Sequence, residues 1–246
     1  MGMDTARAIP LIDLHTHILP DIDDGARDED EAVGMLASLK RQKVDTVVLT
    51  PHYPSDEMPL EEFLERRQQA FDRLRFRKEA EAMNLVLASE TFLSKTLFQH
   101  ADISPLCMGG RYLLVELPYD TRFTPYVCKN LLQISYCYGV YPILAHIERY
   151  HDLMQHPRVL EKLIDEGVLT QVNVSSLQYF WTRRRLFSMI KKGYIHFLGT
   201  DCHHLRERSP KYRMWTDQLQ KALGEQTLAQ LMQNARDIVQ DSKKPL

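Results

Sequence analysis

Two histidines, His15 and His17, stand two residues apart just after a short apolar run, Leu11-Ile12. On an extended chain, residues i and i+2 point to the same face, so both imidazoles can aim at one point. That arrangement suits a metal such as Zn, Fe, Ni or Mn. A lone His-x-His pair is common and carries little weight. The same residue types recur, however, just past one short apolar run after another: His52, Glu90, Glu116, His146, and Asp201 with His203. Asp24 lies in the acidic loop Asp21-Ile22-Asp23-Asp24-Gly25. The set mixes imidazole with carboxylate and has no thiolate, which favours Mn, Fe or Zn over soft metals. One ion cannot use so many ligands. More than one is expected, with bridging carboxylates holding the ions ~3.5–4 Å apart. A structural alternative stands beside this reading. Buried carboxylates are rare unless paired, so Glu90 and Glu116 could instead sit in ion pairs with Arg149 or Arg208.

The elements that must position these residues are about seven short apolar strands: residues 11–14, 46–50, 85–88, 112–115, 141–145, 169–174 and 196–199. Helical patterns separate them. One runs from about 28 to 42, with four acidic residues in its first turn, favourable at the positive end of the helix dipole, and with Val33, Leu36 and Leu39 facing the core. The others cover 59–83 as one long helix, 125–138, 160–166 closed by Gly167, 183–192, and 214–239 with a break near Gly224. Strands alternating with helices imply an α/β fold with a parallel sheet, open or closed into a barrel. In a barrel the C-terminal strand ends converge on one face, and that face holds the site. No Gly-x-Gly-x-x-Gly or Gly-Lys-Ser/Thr loop occurs, which disfavours a nucleotide-binding sheet.

The 246 residues, 44% apolar and 26% charged, fit one domain spanning 1–246 with a substantial core. A formal charge of -2 gives no electrostatic case for nucleic acid or an anionic membrane. No apolar run approaches the ~18 residues that span a bilayer. Residues 1–8 lack the apolar stretch of a signal peptide. The four cysteines show no paired spacing and are expected to be reduced thiols of a cytoplasmic protein.

Asp13-Leu14-His15-Thr16-His17-Ile18 followed by Asp21–Gly25, Thr50-Pro51-His52, Ala145-His146-Ile147-Glu148-Arg149-Tyr150, Thr170-Gln171-Val172-Asn173, Thr200-Asp201-Cys202-His203 and Asn234-Ala235-Arg236-Asp237-Ile238-Val239 run along nearly the whole chain. Together they resemble the PHP phosphoesterases. The resemblance is strongest to the manganese-dependent protein tyrosine phosphatases of bacterial capsule and exopolysaccharide loci. The segment around Glu90, Ser89-Glu90-Thr91, departs from the family wording, so Glu90 is aligned by its place after a strand.

The resemblance implies a distorted (β/α)7 barrel with three ions, Mn2+ first and Fe, Zn or Co as alternatives. His15, His17, Glu90 and Asp201 would hold one ion. Glu90, Glu116 and His146 would hold a second, and Asp24, His52 and His203 a third. Arg149 and Arg208 would contact the phosphate while a metal-bridging hydroxide attacks phosphorus. The implied substrate is a phosphotyrosine protein, a bacterial tyrosine kinase of polysaccharide synthesis. The alternative within the family is a small phosphomonoester such as histidinol phosphate.

A rival chemistry sits in the same loop, because Cys202 and Arg208 have the Cys-x5-Arg spacing of thiol phosphatases. That chemistry needs a thiolate at a helix N-terminus. The intervening residues contain no glycine, and Asp201 would disfavour the thiolate. Two further segments have double readings. Phe180-Trp181-Thr182-Arg183-Arg184-Arg185 is either a helix start with solvated arginines or a dock for an acidic kinase tail. Tyr119, Phe123 and Tyr126 either line the entrance or pack their loop.

Overall fold

In the computed structural model, which describes residues 9–240, all strand pairing between named strands is parallel. The expectation about residues 1–8 lies outside the described residues. The strands are β1 Leu11–Thr16, β2 Val44–Leu49, β3 His52–Tyr53, β4 Asn84–Leu87, β5 Glu90–Phe92, β6 Tyr112–Glu116, β7 Tyr141–Leu144, β8 Leu169–Asn173 and β9 Phe197–Gly199. They pair in the orders β1-β2-β4 and β3-β5-β6-β7-β8-β9.

The two orders belong to one curled sheet. β2 and β3 are one course interrupted at Thr50-Pro51, where proline has no N–H for a ladder. β4 and β5 are likewise one course interrupted at Ala88-Ser89. Seven courses result. A parallel bridge between Thr16 and Cys202 brings the end of the last course back to the first. There Asp201 N donates to His15 O (2.8 Å) and His17 N donates to Cys202 O (2.9 Å). The distorted seven-course barrel is thus present. The sequence shows no sign of β3 and β5 as separate strands, because each is too short to show a period and each carries its polar residue first.

Helices cover the sheet: α1 Glu29–Arg41, α2 Leu60–Leu74, α3 Lys78–Glu81, α4 Pro125–Tyr138, α5 His151–Gln155, α6 Pro157–Asp165, α7 Phe180–Lys191, α8 Arg213–Leu223 and α9 Glu225–Gln240. Asp28 caps α1 by accepting from Glu31 N (2.8 Å). Ala32, Met35, Leu36 and Leu39 are its buried stripe, and Val33 packs at the margin. The helix expected over 59–83 is in fact two. The chain turns at residues 75–77, where Arg77 leaves the helical path and reaches Glu29 (3.2 Å) and Asp30 (3.0 Å) on α1. α7 begins at Phe180, three residues before the predicted start, and leaves Tyr179, Phe180 and Trp181 exposed. Gly224 separates α8 from α9, and α9 packs on β1 and β9 where the barrel closes. Among the described residues no helix is long and apolar enough to cross a membrane.

Candidate metal centre

β1 is buried along its whole length and delivers His15 at its C-terminal end, with His17 just beyond. Neither imidazole is exposed. Their Nε2 atoms lie 3.1 Å apart. Both face Glu90 Oε2, at 3.0 and 3.2 Å, and Asp201 Oδ1, at 3.7 and 3.4 Å. Glu90, the first residue of β5, also has His146 Nε2 at 2.8 Å and His52 Nδ1 at 3.3 Å. Glu116, the last residue of β6, lies 3.0 Å from His52 Nδ1 and 3.8 Å from His146 Nε2. Asp24 Oδ1 lies 3.3 Å from His203 Nε2 and 3.5 Å from His52 Nε2.

All nine residues singled out in the sequence therefore meet at one place. Three groups have ligand atoms within 4.8 Å of one another: His17, Asp24, His52 and His203; His15, His17 and Asp201; and His52, Glu90 and Glu116. The ion-pair alternative for Glu90 and Glu116 is not what the fold builds. Arg149 Nη2 and Arg208 Nη2 both sit on Asp201, at 2.9 and 2.6 Å.

The chain leaves its strands abruptly here. His146, Asp201 and Arg208 have φ of 33°, 53° and 47°, a region that non-glycine residues seldom occupy. Backbone of this kind costs on the order of 1–3 kcal/mol per residue and persists only where surrounding contacts over-determine it. Those contacts are polar and mostly buried. Gln171 Oε1 accepts from His146 N (2.8 Å), and Gln171 Nε2 donates to Asn173 Oδ1 (2.9 Å). Asn173 Nδ2 in turn donates to Asp201 Oδ2 (2.7 Å). Asp23 Oδ2 accepts from His52 N (2.9 Å) and lies 2.8 Å from His17 Nδ1, so the other nitrogen of His17 is left for the centre. Asp13 accepts from Thr200 N (2.8 Å) and Thr200 Oγ1 (2.7 Å), pinning the last strand to the first.

None of these supporting roles was assigned from sequence, although all the residues lie in the motifs. A signal existed for one pair: Gln171 and Asn173 repeat the two-residue spacing of His15 and His17.

Burial alone would raise the carboxylate pKa values. The charge of His15 and hydrogen bonds from His146, His15 and His17 instead hold Glu90 well below the usual range. The charges of His15 and His17 and a hydrogen bond from His17 do the same for Asp201. Burial pulls His17 down, but Asp23, Asp201 and Glu90 outweigh it and set His17 well above its ordinary value. A cation entering the cluster competes with that proton. His203 goes the other way. Burial pushes it to about 4, leaving a neutral imidazole.

The arrangement fits divalent cations on its own geometry. Four imidazoles and four carboxylates make up the three groups, His146 joins them through Glu90 and Glu116, and His146 Nδ1 is buried without a hydrogen-bond partner among the described residues. Cys202 takes no part in the three groups.

Gly199 lets His15 lie this close to β9. A Cβ there would stand 2.6 Å from His15 Cβ, 2.9 Å from Gln171 Nε2 and 3.1 Å from His15 N. Gly199→Ala is therefore expected to cost about 1–3 kcal/mol, the usual penalty of overpacking a rigid core. A lowered denaturant midpoint together with reduced metal retention checks it. An unchanged midpoint would mean that His15 is not held against β9.

A family model described as capsular polysaccharide synthesis, CpsB/CapC, matches residues 11–240. The tyrosine-protein phosphatase CpsB of Streptococcus pneumoniae is 28% identical over 250 residues, covering 94% of this chain and 99% of that protein. The tyrosine-protein phosphatase YwqE of Bacillus subtilis strain 168 is 28% identical over 232 residues, covering 92% and 90%. Crystal structures of YwqE and CpsB from these organisms, described as unique metal-dependent tyrosine phosphatases, include a chain that superposes with a TM-score of 0.77 at 22% identity. That match covers 94% of this chain and 95% of the other.

Proposed function

The chain belongs to the CpsB/CapC family of capsular polysaccharide synthesis, and on that premise we propose that it is a metal-dependent protein tyrosine phosphatase, one domain over residues 1–246. The observation that carries the proposal is the convergence of nine imidazole and carboxylate side chains, His146 among them through Glu90 and Glu116, with two arginines at one end of the barrel. Manganese is the proposed metal and three ions the proposed number. His15, His17, Glu90 and Asp201 hold one, Glu90, Glu116 and His146 a second, and Asp24, His52 and His203 a third. The physiological substrate is proposed to be a bacterial tyrosine kinase of capsule or exopolysaccharide synthesis, met in the cytoplasm.

Divalent ions held in this centre supply positive charge to a phosphate dianion and lower the pKa of bound water towards ~7. The chain's own residues do the rest. Arg149 and Arg208 approach Asp201 from two sides, and each guanidinium keeps further donors for phosphate oxygens as charge spreads during transfer. Tyr119 OH accepts from Arg149 Nη1 (2.9 Å), and the Arg149 guanidinium lies 5.4 Å from the Tyr119 ring centroid. Tyr119 is exposed and its ring meets that of His146 edge-on, so it stands at the mouth as an aromatic wall. Phe123 is buried against Tyr150 and packs its loop instead. A phenolate leaving group, with a pKa of ~10, needs little help from a general acid.

Cys202 does not supply the nucleophile. It is wholly buried, burial together with Asp13 and Asp201 pushes its thiol well above the ordinary value, and the next helix begins only at Arg213. Cys202→Ser is expected to keep most of the hydrolysis of a phosphotyrosine peptide, while a chelator abolishes it. Chelator-resistant activity lost on changing Cys202 would overturn the metal reading.

The experiment for the function itself compares Mn-loaded protein on phosphotyrosine peptides and on histidinol phosphate. A clear preference for the peptides is expected. A preference for histidinol phosphate would overturn the proposal.

A further inference from the structure

A cleft of about 350 Å3 adjoins the metal centre and shares Asp201, Arg149 and Arg208 with it. Its walls include Arg149, Arg206, Arg208, Lys211, Ser209 and Trp215. The cleft thus gathers four cationic side chains around one carboxylate, that of Asp201, which is already paired with Arg149 and Arg208. Arg206 and Lys211 are exposed and make no ion pair among the described residues. Glu207 lies in an adjoining cavity with Glu31, to which Arg206 also contributes, and there Glu31 is held by Arg27 at 2.9 Å. Neither Arg206 nor Lys211 is thus held by a carboxylate among the described residues, and both stand beside the place where a phosphate would be cleaved. Arg149 and Arg208 are committed to Asp201 and to that phosphate. A ligand with a single phosphate leaves the other two cations unused.

We infer that this cleft is a subsite for a second anionic side chain of the same substrate chain, a carboxylate or a phosphate neighbouring the scissile phosphotyrosine, with Arg206 and Lys211 as its specificity-determining residues. The inference rests on the phosphatase reading above. A guanidinium and an ammonium at an open rim act through charge, so their contribution weakens with salt. The indole of Trp215 gives the passing peptide an apolar wall.

The test uses the full, Mn-loaded chain and four substrates: a phosphotyrosine peptide flanked by Glu, the same peptide flanked by Gln, the same peptide flanked by phosphoserine, and p-nitrophenyl phosphate. The Glu-flanked or phosphoserine-flanked peptide, or both, is expected to exceed the Gln-flanked one in kcat/KM by about tenfold at low salt, converging as salt rises. Preference for both names a carboxylate or a phosphate as the partner, and preference for only one names that group. In R206A/K211A the ratio is expected to fall to about twofold or less, while p-nitrophenyl phosphate, which has no flanking group, is turned over as before. Equal kcat/KM for all three peptides, or a preference that survives R206A/K211A, would overturn the subsite. If no phosphate ester is hydrolysed, the phosphatase reading fails. The subsite is then read from binding of the same peptides, where equal affinities overturn it and an anion preference lost in R206A/K211A upholds it.

Discussion

Replacing His15 and His17 together with alanine is expected to remove at least one metal ion per chain and nearly all turnover while the barrel stays folded. The two Nε2 atoms are 3.1 Å apart and share Glu90 and Asp201, so no single ion in this corner survives the loss of both. Metal ions contribute several kcal/mol of charge stabilisation at a reacting phosphoryl group. Losing it corresponds to roughly a thousandfold or more in rate. The fold persists because the other buried charges keep partners. Glu90 retains His52 and His146, and Asp201 retains Arg149 and Arg208. Leu11, Ile12 and Leu14 still pack in the core, and β1 still pairs with β2. Metal content by mass spectrometry, the circular dichroism spectrum and turnover are measured on one sample. Unchanged metal content would take the pair out of the site. A lost spectrum would show that the histidines hold the fold rather than an ion.

Arg149→Ala and Arg208→Ala are expected to leave the metals bound and to lower kcat instead. Donors aimed at developing charge are each worth about 10²–10³ in kcat when removed. Lysine at either position should restore only part of the loss, since an ammonium cannot make the two parallel contacts of a guanidinium. The two positions differ in one respect. Arg149 is also braced by Tyr119, whereas Arg208 holds its place through a left-handed backbone and the contact with Asp201. Metal content is the discriminating readout. A variant that loses ions along with rate would show that the arginine acts by holding Asp201 in place, and wild-type kcat in both variants would remove the arginines from the reaction.

The strand ends were legible because chemistry and pattern coincide there. Apolar runs are easy to place, and the polar residue that ends each one stands out: His146 after β7, Asp201 after β9. Glu90 was legible by position alone, and it proves to be the residue that touches four of the five imidazoles. What the sequence could not disclose was partner choice. The arginines were plausible partners for Glu90 or Glu116, but both meet Asp201, with left-handed residues redirecting the chain at His146 before Arg149 and at Asp201 and Arg208 in the last loop. Asp and His adopt such a conformation more readily than most non-glycine residues, but residue type alone does not say where one will. The same holds for the break between α2 and α3: the helical period runs on through residues 75–77, and it is Glu29 and Asp30, far away in sequence, that meet Arg77 there. Asp23 and Asp13 escaped for a related reason. Their partners, His52 and Thr200, lie on other courses of the barrel.

The central claim is that metal held by the strand ends drives phosphotyrosine hydrolysis. Its most direct test is a titration of Mn2+ into chelator-stripped protein, with bound metal and turnover of a phosphotyrosine peptide read on the same samples. Turnover is predicted to be absent without metal, to rise with bound Mn2+ and to level off at the proposed number of about three ions per chain. Full turnover by stripped protein, or saturation with Mn2+ that brings no turnover, would contradict it.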